Sequence, residues 1–261
     1  MEEFTALGMT AVRSPAEVAA AVDDGVIFLM VTNTASTQQV LDGPNGLWST
    51  LRPGALIIDM GSNQVDATRE WQEQAQARGA DWLDAPVSGG QVGARAATLT
   101  TMCGGTAEAF ARALPLLERL GKVIRHLGKS GSGQVAKLAN QIIVASNIAS
   151  VAEALTLAKA HGLDLAQLRE ALLGGFASSL VLDLHGQRMV AGEFTPGGTA
   201  VNQLKDVLEA IRVAGAAGLR LPILEANREL WQAMINAGLG ELDHSGLYRH
   251  YEMTSHALKA H

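Results

Sequence analysis

Two short runs constrain this chain more than any other feature: VIFLMV at 26–31 and ALIIDM at 55–60. Neither alternates between apolar and polar residues. A strand that is apolar on both faces is one covered on both faces, and such strands belong to sheets with helices on either side. What lies around the runs supports this. Ser14-Pro15-Ala16-Glu17 reads as a capping box with proline at the first helical position, so a short helix runs to Val22 and Asp23-Asp24-Gly25 stops it. A helix is expected over 33–41, a turn at Arg52-Pro53-Gly54, and a helix over 64–78 that ends at Gly79. WLDAPV (82–87), ATLTTMCGG (97–105) and VIRHLG (123–128) read as further strands, with a helix over 106–120. Strands alternating with helices predict a parallel sheet in a doubly wound α/β domain.

Past Lys129-Ser130-Gly131 the pattern becomes helical throughout: 133–161, 164–173, 178–190, 199–217, 222–236 and a last helix after Ser245. We therefore expect an α/β domain over 1–130 and an all-α domain over 131–261. The scarcity of aromatic residues, 4% against 48% hydrophobic, suits helix–helix and helix–sheet packing better than a β-sandwich. The most apolar segment, 138–158, contains Asn140, Gln141, Ser146, Asn147, Ser150, Glu153 and Thr156. A bilayer penalises that set, so a buried helix is expected there. At 1.5 Å per residue the whole helix is about 40 Å long, and covering it calls for a partner subunit.

Other classes are set aside. The net charge is −6 and no basic run stands out, which argues against nucleic acid. The single cysteine, Cys103, excludes an internal disulfide framework and fits a reducing compartment, where a small buried hydrophobe is its expected role. The first residues, MEEFTALGMT, carry acids where a signal peptide needs bases, so a cytoplasmic location is expected. His126, His161 and His185 are scattered without ligand spacing, so no metal is expected, and Asp243 or Ser245 beside His244 is read as a helix cap. The four tryptophans read as core or interface.

Two stretches carry chemistry. Asp84–Gly105, DAPVSGGQVGARAATLTTMCGG, holds five glycines and few charges. It does not match a phosphate cradle: the spacing is not G-x-G-x-x-G, and strand rather than helix is expected next. Ser88 and the consecutive N–H groups of Gly89 and Gly90, at a strand end, suit a small carboxylate. Alone, the loop reads equally as a flexible turn. The second stretch is GSGQVAKLANQ (131–141), where Lys137 shares a helix face with Asn140 and Gln141 among apolar neighbours. Burial would lower such a lysine's pKa and let it pass a proton to or from a substrate oxygen. The plainer reading is a lysine that snorkels to solvent.

Taken together, DAPVSGG, GSGQVAKLANQ and the later LKD (204–206) resemble the β-hydroxyacid dehydrogenase family, related to 6-phosphogluconate dehydrogenase. The resemblance spans the whole chain. It implies NAD or NADP as cofactor and a small hydroxy or oxo acid as substrate, and the long apolar helix adds the expectation of a homodimer or homotetramer. By resemblance Lys137 is the catalytic lysine, while Ser88, Gly89, Gly90, Asn140 and Gln141 meet the substrate. Val31, Thr32, Asn33, Ser62 and Lys205 meet the cofactor, although Val31-Thr32-Asn33 stands where the family usually has Leu-Pro-Asn. Ala97 stands where glycine is usual. Gln141 departs from the hydroxyisobutyrate branch, and KLANQIIVASNIASVAEALTLA and GLGELDHSGL are similar to the branch that reduces tartronate semialdehyde to glycerate. Hydroxyisobutyrate, glyoxylate and succinic semialdehyde remain open, as does a non-catalytic remnant. The family's G-x-G-x-x-G fingerprint belongs ahead of the first residues here, so the expected Rossmann-like domain lacks its first β-α-β unit.

Overall fold

A computed structural model describes residues 5–22 and 25–259, with side chains to residue 255. Asp23 and Asp24 of the expected helix stop lie outside the described residues. The chain forms two compact units, Met1–Lys137 and Leu138–His261.

The first unit is a sheet with helices. Helix α1 (Pro15–Ala20) starts where Ser14 accepts a hydrogen bond from the Glu17 N–H. Then come β1 (Val26–Leu29), α2 (Thr34–Asp42), a 3-10 turn (Leu47–Ser49), β2 (Leu56–Asp59), α3 (Val65–Ala77) and β3 (Asp81–Asp84). They are followed by β4 (Val87–Ser88), α4 (Gly90–Arg95), β5 (Leu99–Gly105), α5 (Ala107–Leu117) and β6 (Gly121–His126). Strands β1, β2 and β3 pair in parallel, with Phe28 opposite Ile58 and Asp59 opposite Asp84. β2 is buried along its length. Its Ile57 joins one apolar cluster with Ile27, Leu41, Trp71 and Trp82, while Leu56 and Ile58 join another with Leu83, Cys103 and Leu117. A strand feeding two cores has no room for alternation, which explains the sequence of 55–60. The tryptophans are core residues: Trp48, Trp71 and Trp82 pack on one another in this unit, and Trp231 is buried in the second.

Three expectations are corrected. First, the sheet is mixed: β5 runs antiparallel to both β3 and β4, and only β6 beside it restores a parallel pair. The link from Gly89 to Thr98 is shorter than the dozen or more residues a parallel crossover needs, so the chain returns beside its own strand. Second, that link contains α4, one and a half turns of helix where only a loop was expected. Third, β1 is covered on one face only: Ile27 and Leu29 are buried, whereas Phe28 is exposed.

The second unit holds most of α6 (Ser132–Ala160), then α7 (Leu165–Leu173), α8 (Leu180–Ala191), α9 (Ala200–Ala216), α10 (Pro222–Met234) and α11 (Leu247–Lys259). Asp164, Ser179 and Thr199 cap three of these helices through side-chain oxygens. On α6, Ala145, Ile148, Ala152 and Leu155 form one buried stripe at helical spacing. This helix is long and apolar enough to cross a membrane by length and composition, and about a third of its most apolar stretch is buried. Among the described residues of this unit there is no strand, only a bridge between Thr199 and Asp243.

Candidate active site

The site of the first unit begins with two aspartates. Asp59 and Asp84 close adjacent parallel strands and are fully buried. Asp59 accepts hydrogen bonds from Gly61 N (3.1 Å) and Asn63 Nδ2 (2.8 Å). Asp84 accepts from Gly131 N (2.8 Å) and Gln134 N (3.1 Å), the opening of α6. Gln134 in turn accepts from Asn63 N and donates to Gly61 O. Thr37 Oγ1 donates to Asn63 Oδ1, which extends the network to α2. Burial is the largest influence on both acids and outweighs these donors. It lifts Asp59 to about 7 and Asp84 to about 6.

Glycine makes this junction possible. A Cβ on Gly133 would lie 2.4 Å from Met102 O, and one on Gly104 would lie 2.7 Å from both an Asp84 carboxylate oxygen and Gly133 N. The first turn of α6 therefore lies directly against β3 and β5. One turn beyond Gln134, Lys137 donates from Nζ to Val87 O at 2.9 Å. Val87 and Ser88 form β4, opposite Thr101 and Thr100. The lysine head is thus tied to the strand that leads into Ser88-Gly89-Gly90. Lys137 is half-buried. Gly89 and Gly90 have φ of +126° and +60°, both in the glycine-favouring region. Cys103 is fully buried, and its thiol is pushed up to about 12 by burial and then by Asp84, as befits a packing residue.

Val31, Thr32 and Asn33 follow β1, and Ser62 follows β2. They stand at the carboxyl ends of parallel strands, where α/β sheets take their ligands. Asn33 caps α2 through Oδ1 on Ser36 N (2.9 Å), so its side chain is committed to the helix. Thr32 is exposed and Ser62 half-buried.

In the second unit Asn140 donates to Gln141 (2.8 Å), Gln141 donates to Asp206 (2.8 Å), and Lys205 Nζ lies 3.2 Å from Asp206. The structure thereby links three residues singled out in the sequence through Asp206, the last residue of LKD, for which no role was read. It also gathers His185, Asp243 and His244, whose spacing in the chain gave no hint of proximity. The cap reading of Asp243 holds, since its carboxylate accepts from Ser245 N. Asp59, Asp84 and Gln134 were passed over in the sequence. The signal was present: an aspartate ends two consecutive apolar strands, IID and WLD.

A lysine held by the carbonyl of a strand that leads into a glycine-rich turn can exchange a proton with a substrate oxygen, as an oxidoreductase of the nicotinamide-dependent class requires. The comparisons agree. Residues 1–128 match the NAD binding domain of 6-phosphogluconate dehydrogenase, and 131–251 match the NAD-binding domain of NADP-dependent 3-hydroxyisobutyrate dehydrogenase. The chain is 42% identical to 2-hydroxy-3-oxopropionate reductase of Escherichia coli over 98% of its own length and 88% of that protein's. It is 32% identical to 2-(hydroxymethyl)glutarate dehydrogenase of Eubacterium barkeri, over 95% of this chain and 82% of that one. The crystal structure of a 3-hydroxyisobutyrate dehydrogenase from Salmonella typhimurium superposes with a TM-score of 0.83 at 28% identity, covering 90% of this chain and 82% of that one. The chain belongs to the NAD(P)-dependent β-hydroxyacid dehydrogenase family.

Proposed function

We propose that this enzyme interconverts tartronate semialdehyde and glycerate, with Lys137 as its general acid and base. The observation that carries the chemistry is the Lys137 Nζ contact with Val87 O, which holds an amine beside the Ser88–Gly90 turn. The relative named 2-hydroxy-3-oxopropionate reductase, at 42% identity, and Gln141 in place of the hydroxyisobutyrate branch's asparagine support the substrate.

A bound nicotinamide supplies or accepts the hydride. The chain's own residues do the rest. Ser88 Oγ and the Gly89 and Gly90 N–H groups orient the substrate carboxylate. In reduction the carbonyl oxygen gathers negative charge, and Lys137 gives it a proton. In oxidation Lys137 takes that proton from the hydroxyl. Val31, Thr32, Asn33 and Ser62 would hold the cofactor, and Asn140, Gln141 and Lys205 take the roles the family gives them. The same reading assigns the dinucleotide to residues 1–130 and the substrate and self-association to 131–261. Ile143 and Leu157, exposed on α6, support a homo-oligomer, and the location we propose is cytoplasmic.

The test is oxidation of NADH and of NADPH with tartronate semialdehyde, run beside 3-hydroxyisobutyrate oxidation, glyoxylate and succinic semialdehyde reduction. We expect the highest kcat/KM with tartronate semialdehyde. K137A should lower kcat by about 100- to 10,000-fold while dinucleotide binding persists. A preference for another acid would reassign the substrate, and an active K137A would remove the lysine from the chemistry.

A further inference from the structure

The second unit holds a polar cluster that the dehydrogenase reading leaves unused. His185, on α8, and His244, in the 3-10 turn His244–Gly246 ahead of α11, face each other with their Nε2 atoms 3.3 Å apart. Their rings stand edge to face at 86°. The far nitrogen of each ring lies against an acceptor. His244 Nδ1 is 3.3 Å from Gln203 Oε1, and His185 Nδ1 is 3.5 Å from Asp243 Oδ1. Gln203 is buried, and its Nε2 has no hydrogen-bond partner among the described residues.

Two imidazole nitrogens bound to one tetrahedral ion at about 2.0–2.1 Å lie about 3.3 Å from each other. A carboxylate or carbonyl behind the opposite N–H is the arrangement that orients ligating histidines. The first occurs here, and Gln203 supplies the second for His244, while His185 Nδ1 lies near Asp243 Oδ1 without a hydrogen bond. Asp243 is not a ligand itself, because its oxygens are taken. Oδ1 accepts from Ser245 N (3.0 Å) and Ser245 Oγ (2.6 Å). Oδ2 accepts from Gly197 N (2.9 Å) and Gly198 N (3.3 Å) and pairs with Arg188 Nη1 at 2.8 Å. Arg188 thus offsets the charge of Asp243 and leaves the two imidazoles as the donor set. The backbone holds them in place: Asp243 N donates to Phe194 O, and His244 N donates to Gly198 O.

We infer that His185 and His244 form a two-imidazole chelate for a zinc-class divalent cation, with Gln203 orienting the His244 ring, Asp243 lying beside His185 and water completing the shell. Nitrogen-only donors favour nickel, copper and zinc over magnesium or manganese. The ion would tie α8 to the segment between α10 and α11 and so stabilise the native helical unit. The sequence spacing of these histidines predicted no metal, since they meet only in the fold.

The experiment is calorimetric titration of the chelator-treated full chain with Zn²⁺, with Co²⁺ absorption reporting the ligand field and thermal melts run with and without Zn²⁺. We expect one saturable equivalent and a raised Tm. H185A and H244A should each weaken binding by about tenfold or more, and Q203A by about tenfold. H185Q and H244Q keep a polar side chain without the imidazole and serve where an alanine variant fails to fold by circular dichroism. H161A, at an exposed histidine, should bind as the parent does. Absence of saturable binding, binding unchanged in the His185 and His244 variants, or binding lost in H161A would each overturn the inference.

Discussion

Ala97 shows how a single residue reports on the backbone. It has φ of +51°, one of two non-glycine residues in the left-handed region among those described. It links α4 to β5 where the family usually carries glycine. A Cβ there costs about 1 kcal/mol, so A97G should raise stability by about 0.5–1 kcal/mol in urea unfolding, with activity retained. Gly104 is the opposite case. A Cβ at 2.7 Å from the Asp84 carboxylate and from Gly133 N has nowhere to go, and G104A should cost about 2–3 kcal/mol by the same measurement. It should also lower kcat, because Gly133 and Asp84 set the first turn of α6 and hence Lys137. That Lys137 and the Ser88–Gly90 turn belong to neighbouring stretches follows from motifs that are short and local. Asp84 and Gln134 were not legible, because their partners stand tens of residues away in the chain.

Among the elements, helices were the most legible. Three of them start on capping side chains: Asp164 accepts from Ala166 and Gln167 N–H, Ser179 from Leu182, and Thr199 from Asn202. S179A and T199A should each lower stability by about 1 kcal/mol, read as a shift in denaturation midpoint followed by far-ultraviolet circular dichroism. Strands were found but not their directions. β5 was expected to be parallel and is antiparallel to β3, because direction depends on how far the connection must travel. Helix α4 escaped notice because glycine at its start and a short length leave little periodic signal.

The two units should respond to pH in opposite senses. Asp59 and Asp84, lifted to about 7 and about 6 mainly by burial, hold protons more tightly folded than unfolded. Their contribution to stability is full below about pH 4 and is lost as pH rises through 6 to 7. Asp243 differs. Burial works to raise it, but His185, Ser245, Gly197 and His244 together hold it well below the usual carboxylate range. Its contribution is present above about pH 4 and falls in acid. Tryptophan fluorescence reports chiefly the first unit, which holds Trp48, Trp71 and Trp82, whereas Trp231 alone lies in the second. By that probe the urea midpoint should fall between pH 5 and pH 8. D59N should flatten the fall, and an unchanged slope would show that Asp59 is already ionised at pH 5.

The sequence by itself determined what is local or periodic: the doubly apolar strand β2, the helices and their caps, the change from α/β to all-α, and the lysine and glycine motifs that carry the family resemblance. Only the tertiary structure decided which strand ends meet, that β5 turns back antiparallel, that Asp59 and Asp84 anchor α6 beside Lys137, and that His185 reaches His244. The physical reason is range. Propensity, capping and apolar period act over a few residues, whereas burial and close approach of backbones join residues far apart in the chain.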